Sequence, residues 1–133
     1  MAERVYCLYR GKDQESILMQ KNACHDFAEK KGWNIVGEEQ EIGVSGYKAS
    51  ADDRVKLQRI RKAAEQGEFD ILLVFMYDRL GRNLNETPFI AEWFTKKGIH
   101  VWSVYEGEII DGVDAERMLD YIRFWQTDEV QKL

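Results

Sequence analysis

Phe69-Asp70-Ile71-Leu72-Leu73-Val74-Phe75-Met76-Tyr77-Asp78-Arg79-Leu80-Gly81-Arg82 is the stretch whose reading decides the fold. Residues 71–77 form an apolar run of strand length. The run breaks off into Asp78, Arg79 and Arg82, three ionised groups that need water or partners. A buried strand of this kind delivers its charge to its C-terminal end. In open parallel α/β sheets that rim is where ligands and chemistry sit.

A plain strand-to-helix loop, with Asp78 as a local cap and two surface arginines, would account for a single arginine. Arg79 and Arg82 stand three apart, so a helical turn puts both guanidinium groups on one face. Two such forks beside a carboxylate suit a phosphodiester, because arginine stays charged and pairs phosphate oxygens bidentately.

Working outward, residues 5–9 read as a first strand, with Val5, Cys7 and Tyr9 on one side and Tyr6, Leu8 and Arg10 on the other. It too ends in an arginine. A polar turn over 11–15 leads to a helix from Ser16, its expected cap, with Ile17, Cys24, Phe27 and Ala28 inward and a stop at Lys31-Gly32. Residues 33–41 supply a second strand, followed by the small-residue loop Gly43-Val44-Ser45-Gly46-Tyr47-Lys48-Ala49-Ser50-Ala51, which is long enough to be a mobile surface or a functional lid. A helix over 53–66 buries Leu57, Ile60 and Ala64.

Beyond the central strand, a helix over 85–97 is expected to bury Phe89, Ile90, Trp93 and Phe94, with Pro88 tolerated in its first turn. Residues 99–104 read as a fourth strand and 106–112 as an acidic loop. A long C-terminal helix from about 113 carries Met118, Leu119, Tyr121, Ile122, Phe124 and Trp125 on more than one face, the pattern of a subunit interface. Four strands alternating with helices give an α/β domain: three layers, with a mostly parallel sheet of at least four strands flanked by helices.

Composition agrees. A chain of 133 residues fits a single domain, 1–133. With 44% hydrophobic and 32% charged residues, it reads as soluble and globular rather than disordered. No apolar run is long enough to span a membrane and Met1-Ala2-Glu3-Arg4 opens no signal-peptide core, so a cytoplasmic location is expected. Cys7 and Cys24 lack metal-ligand spacing and read as reduced packing residues. His25 and His100 are isolated, and no Gly-rich phosphate loop follows the first strand, so no metal or nucleotide cofactor is expected. The net charge of -5 argues against strong autonomous binding to nucleic acid, although Arg54, Lys56, Arg59, Arg61 and Lys62 cluster on one helix.

The pieces together resemble the catalytic domain of the resolvase–invertase family of serine recombinases, and more narrowly the large serine recombinases of mobile elements. Tyr9-Arg10, the Glu15-Ser16 to Gln20 helix entry, Gly43-Val44-Ser45-Gly46 followed by Arg54, Phe69-Asp70-Ile71-Leu72-Leu73-Val74, and above all Asp78-Arg79-Leu80-Gly81-Arg82 carry the likeness in the family's order. The resemblance implies site-specific recombination of double-stranded DNA. A serine attacks a phosphodiester, forms a 5′ phosphoserine link and frees a 3′ hydroxyl, and strands are rejoined within a synaptic tetramer assembled from homodimers. It implies a clamp of Arg10, Arg54, Arg79 and Arg82, with Asp78 orienting an arginine or managing a proton and Gln20 in a secondary role. Bond energy held in the ester removes any need for a cofactor.

The departure lies at the nucleophile. The family places a serine two residues after the arginine that Arg10 matches, whereas this chain reads Arg10-Gly11-Lys12-Asp13-Gln14. The span from Arg10 to Gln20 is also at least a residue short. Ser16 is the nearest hydroxyl, but it matches the family's helix-entry serine. Active-site residues missing after Arg10, a catalytically inactive interaction module, and an engineered gap all fit; the other filled positions favour the first, which expects a break in the backbone between Arg10 and Gly11. The family's DNA-binding region lies beyond the C-terminal helix, so this chain is expected to bind target DNA only weakly. A flavodoxin-like domain holding a small phosphorylated ligand is a more distant reading.

Overall fold

The alternation of Val5, Cys7 and Tyr9 with Tyr6, Leu8 and Arg10 becomes strand β1 (Arg4–Gly11), buried on both sides. A computed structural model describes residues 2–42, 55–80 and 86–109. After β1 come α1 (Gln14–Lys31), β2 (Asn34–Ile42), α2 (Val55–Glu65), β3 (Ile71–Val74), a 3-10 turn (Tyr77–Arg79), α3 (Glu86–Lys96), β4 (His100–Ser103) and β5 (Gly107–Ile109). The strands form one five-stranded sheet in the order β2-β1-β3-β4-β5. The pairs β2·β1, β1·β3 and β3·β4 are parallel and β4·β5 is antiparallel.

Period-two alternation sends side chains to two separate cores. Val5, Cys7, Tyr9, Ile71 and Leu73 meet Ile17 and Cys24 of α1 on one face. Leu8, Leu72, Val74 and Val101 meet Leu57 and Ile60 of α2 and Ile90 and Phe94 of α3 on the other. The layering is therefore helix, sheet, helix, as the strand–helix alternation predicts. Both cysteines are buried and free.

Several elements differ from the sequence reading. Helix α1 starts earlier than Ser16, because Asp13 is the cap: its carboxylate accepts the Ser16 N–H at 2.8 Å. Ser16 lies inside the first turn. The central strand stops at Val74 rather than running to residue 77, and Tyr77–Arg79 tightens into the 3-10 turn. The acidic stretch expected as a loop contains β5, reached through Gly107 at φ 92, a conformation that glycine adopts without Cβ strain. Phe89, expected inside, is 71% exposed, because α3 turns Thr87, Ile90, Ala91 and Phe94 inward and Phe89 lies off that stripe. Trp93 is only partly buried and takes Arg61 and Lys97 against its ring.

β1 continues through Gly11, in register with Ile42, and Lys12 and Asp13 complete the connection to α1. The loop over 43–52 and the C-terminal helix from about 113 lie outside the described residues. Among the described residues no helix is long and apolar enough to cross a membrane.

Candidate active site

Parallel order places the C-terminal ends of β1 and β3 side by side, so Arg10 and the Tyr77–Arg79 turn meet at one rim. Arg10 reaches across it. Its Nε donates to the Arg79 carbonyl at 3.3 Å and its Nη2 donates to the Asp78 carbonyl. A guanidinium bonded to two successive carbonyls fixes the path of the turn as well as its own direction.

Gln20 holds the same arginine from behind. It is fully buried, yet its Oε1 accepts the Arg10 N–H at 3.1 Å while its Nε2 donates to the Arg10 carbonyl at 2.8 Å. The amide thus satisfies the backbone of the strand end on both sides. Its Nε2 also lies 3.3 Å from Ser16 Oγ as a donor. That hydroxyl is packed on Gly11: a Cβ there would stand 2.6 Å from Ser16 Oγ, so the close approach of α1 to the end of β1 requires glycine.

Asp78 and Arg79 face one another at 3.6 Å, Oδ1 to Nε, an ion pair too long to be a hydrogen bond. Both atoms are buried, and neither has a hydrogen-bond partner. Buried polar atoms are ordinarily satisfied. The open Arg79 Nε–H, beside a second, anchored arginine, is a donor that an incoming anion with several acceptor oxygens can satisfy, while Asp78 Oδ1 keeps the guanidinium aimed.

Of the residues singled out from sequence, the structure brings Arg10, Gln20, Asp78, Arg79 and Ser16 to this rim. Arg54 and Arg82 lie outside the described residues. The basic cluster on α2 is engaged elsewhere: Lys56 and Arg59 approach Glu39 at 3.4 and 3.7 Å, and Arg61 stacks on Trp93.

Two carboxylates escaped the sequence reading. Glu41 is 4% exposed and stands in register with Arg10, though it reads in the sequence as one more charge in Glu38-Glu39-Gln40-Glu41. The register of β2 on β1, which no local pattern reveals, puts Glu41 on the Arg10 face. Glu106 accepts the Tyr77 N–H at 2.9 Å and the Ser103 hydroxyl at 2.9 Å. Burial pushes its carboxyl above the usual range, against those two donors, and the charge of Asp78 adds to the shift. Nothing local in the sequence links residues 77 and 106.

The isolated histidines pair with carboxylates, His25 with Glu38 at 2.8 Å and His100 with Glu108 at 3.0 Å. Among the described residues no group of three or more His, Cys, Asp and Glu could hold a metal ion. A cavity of about 230 Å³ lined by Tyr9, Lys21, Glu38, Glu39, Gln40 and Lys56 opens at the β2 edge, beside the rim rather than on it.

The family model described as "Resolvase, N terminal domain" matches residues 10–126. Among solved structures, the N-terminal catalytic domain of TP901-1 integrase aligns with a TM-score of 0.74 at 25% identity, over 95% of this chain and 98% of that one. The C-terminal catalytic domain of ISC1926 TnpA, an IS607-like serine recombinase, aligns with a TM-score of 0.67 at 26% identity, over 77% and 70%. A resolvase family site-specific recombinase from Streptococcus pneumoniae shares the fold, with a TM-score of 0.73 at 21% identity over 97% and 91%. No curated protein sequence gives a significant match.

Proposed function

The chain belongs to the resolvase N-terminal domain family, a catalytic domain of the serine recombinase type, and from that premise we propose that it cuts and rejoins double-stranded DNA in site-specific recombination. The observation that carries this reading is the rim itself, where Arg10 is anchored beside an Asp78–Arg79 pair whose facing atoms are buried and open. Arg10, Arg79 and, by their place in the family pattern, Arg54 and Arg82 would meet the negative charge on the non-bridging phosphate oxygens. Asp78 would orient Arg79, and Gln20 would hold the backbone from which Arg10 projects.

The family pattern places the nucleophilic serine just after Arg10; Ser16 is the nearest hydroxyl in this chain and the substitute candidate, although it matches the helix-entry serine. In the proposed step the serine Oγ–P bond forms as the P–O3′ bond breaks, the serine proton passing to the departing 3′ oxygen. The 5′ end is left as a phosphoserine ester that a second 3′ hydroxyl can reopen. Homodimers pairing into a synaptic tetramer would bring the strands together. A second reading has its own support: Lys12 stands where the family pattern calls for a serine, which suits an inactive partner within such an assembly.

The test is covalent capture. The chain is incubated with a library of nicked duplexes of randomised centre, denatured, and examined by mass spectrometry for a serine-linked DNA adduct. Recombination predicts a serine-linked adduct, and its loss in Ser16→Ala would assign the nucleophile to Ser16. In Arg79→Ala the yield falls by roughly 100-fold, about 3 kcal/mol of lost transition-state stabilisation. Absence of any adduct, from a chain that still assembles with a catalytic family member, selects the inactive partner.

A further inference from the structure

The 3-10 turn that presents Asp78 and Arg79 lacks a cap of its own, since Met76 at its N-cap position makes no side-chain hydrogen bond. The missing acceptor arrives from the β4–β5 connection: Glu106 Oε2 takes the Tyr77 N–H at 2.9 Å. That oxygen is itself fixed, because Ser103 Oγ donates to it at 2.9 Å while accepting the Glu106 N–H at 2.7 Å. The same connection holds the other end of Tyr77, whose hydroxyl donates to the Gly107 carbonyl. Tyr77 is thus gripped at its backbone and at the tip of its ring by one hairpin.

We propose that Glu106 is a positioning residue, which caps the Tyr77–Arg79 turn from the β4–β5 hairpin so that the aim of Arg79 depends on the hairpin being closed. Capping alone is served by a hydroxyl or an amide oxygen. A half-buried carboxylate beside Asp78 is the costlier choice, and its place at this rim fits a residue that serves the site rather than the fold. The role rests on reading Arg79 as a phosphate-holding group, and the test separates the two.

Residue-resolved hydrogen exchange on the 133-residue chain compares wild type, Glu106→Ala and Glu106→Gln, alongside a titration with inorganic phosphate that follows the Arg79 Nε–H signal. In Glu106→Ala the Tyr77 amide is expected to exchange about tenfold faster while β1 and α1 are unchanged, and the Arg79 response to phosphate is expected to weaken roughly threefold or more. Glu106→Gln, which keeps an acceptor oxygen, restores both. Unchanged Tyr77 exchange, equal acceleration of every amide, or a lost cap with an unaltered Arg79 response each overturns the proposal. If Arg79 of the wild type ignores phosphate, the phosphodiester reading fails instead, and the exchange rate of Arg79 Nε–H then decides the role of Glu106.

Discussion

Tyr9 is 1% exposed, and its hydroxyl donates to Glu38 at 2.7 Å. Burial raises the phenol well above its ordinary range, so it remains a donor at any working pH. Burial works against the Glu38 carboxylate as well, but the bonds from Tyr9 and His25 outweigh it and hold Glu38 below its ordinary value. A depressed carboxylate contributes stability that is present above its unfolded pKa and lost as pH falls through the folded one. Glu38→Ala should therefore cost about 1–3 kcal/mol at pH 7, mostly from the orphaned Tyr9 hydroxyl, and the deficit should shrink in acid. Urea melts from pH 3 to 7 check both. Glu106 has the opposite sign: its raised carboxyl favours folding below the ordinary carboxylate range, and that contribution is lost as pH rises through the folded value. Glu106→Gln should melt at or above the wild-type temperature at pH 7, and any advantage should fade toward pH 4.

At the scale of elements, α1 depends on its entry. Asp13→Ala removes the acceptor of the Ser16 N–H and should cost about 1 kcal/mol, read as a lowered melting temperature, whereas Ser16→Ala leaves that cap in place. The sequence reading chose Ser16 because serine before an apolar stripe is a common helix start; the chain had a better acceptor three residues earlier, and the short connection from Gly11 gave it no room to begin later. Where periodicity decides, as for Val5, Cys7 and Tyr9 or Leu57 and Ile60, the elements were legible. Where tertiary partners decide, they were not. The turn at Tyr77 depends on Glu106, and β5 exists because β4 offers it an edge, so neither could be read from its own residues. The site followed the same rule: Arg10, Asp78 and Arg79 were visible as charges at strand ends and Gln20 only through the family resemblance, while the burial of Glu41 required the register of β2 on β1.

For the molecule as a whole, the sheet separates two cores that share no side chains among the described residues, one filled by Ile17 beneath α1 and the other by Phe94 beneath α3. Ile17→Ala and Phe94→Ala should each cost roughly 2–5 kcal/mol. Acting on opposite faces, they should add to within about 0.5 kcal/mol in the double variant. Denaturant midpoints with unchanged slopes would establish it; strong coupling would mean that the sheet bends to share the loss. The reversal of β5 matters at this scale. Four parallel strands all point toward the Arg10 rim, but at Ile109, opposite Val101, the backbone is already heading the other way. Glu108 meets His100 at the start of β4, so a fluorophore attached at Glu108 starts at the opposite end of the sheet from Arg10 and Arg79 and leaves the approach to them unobstructed.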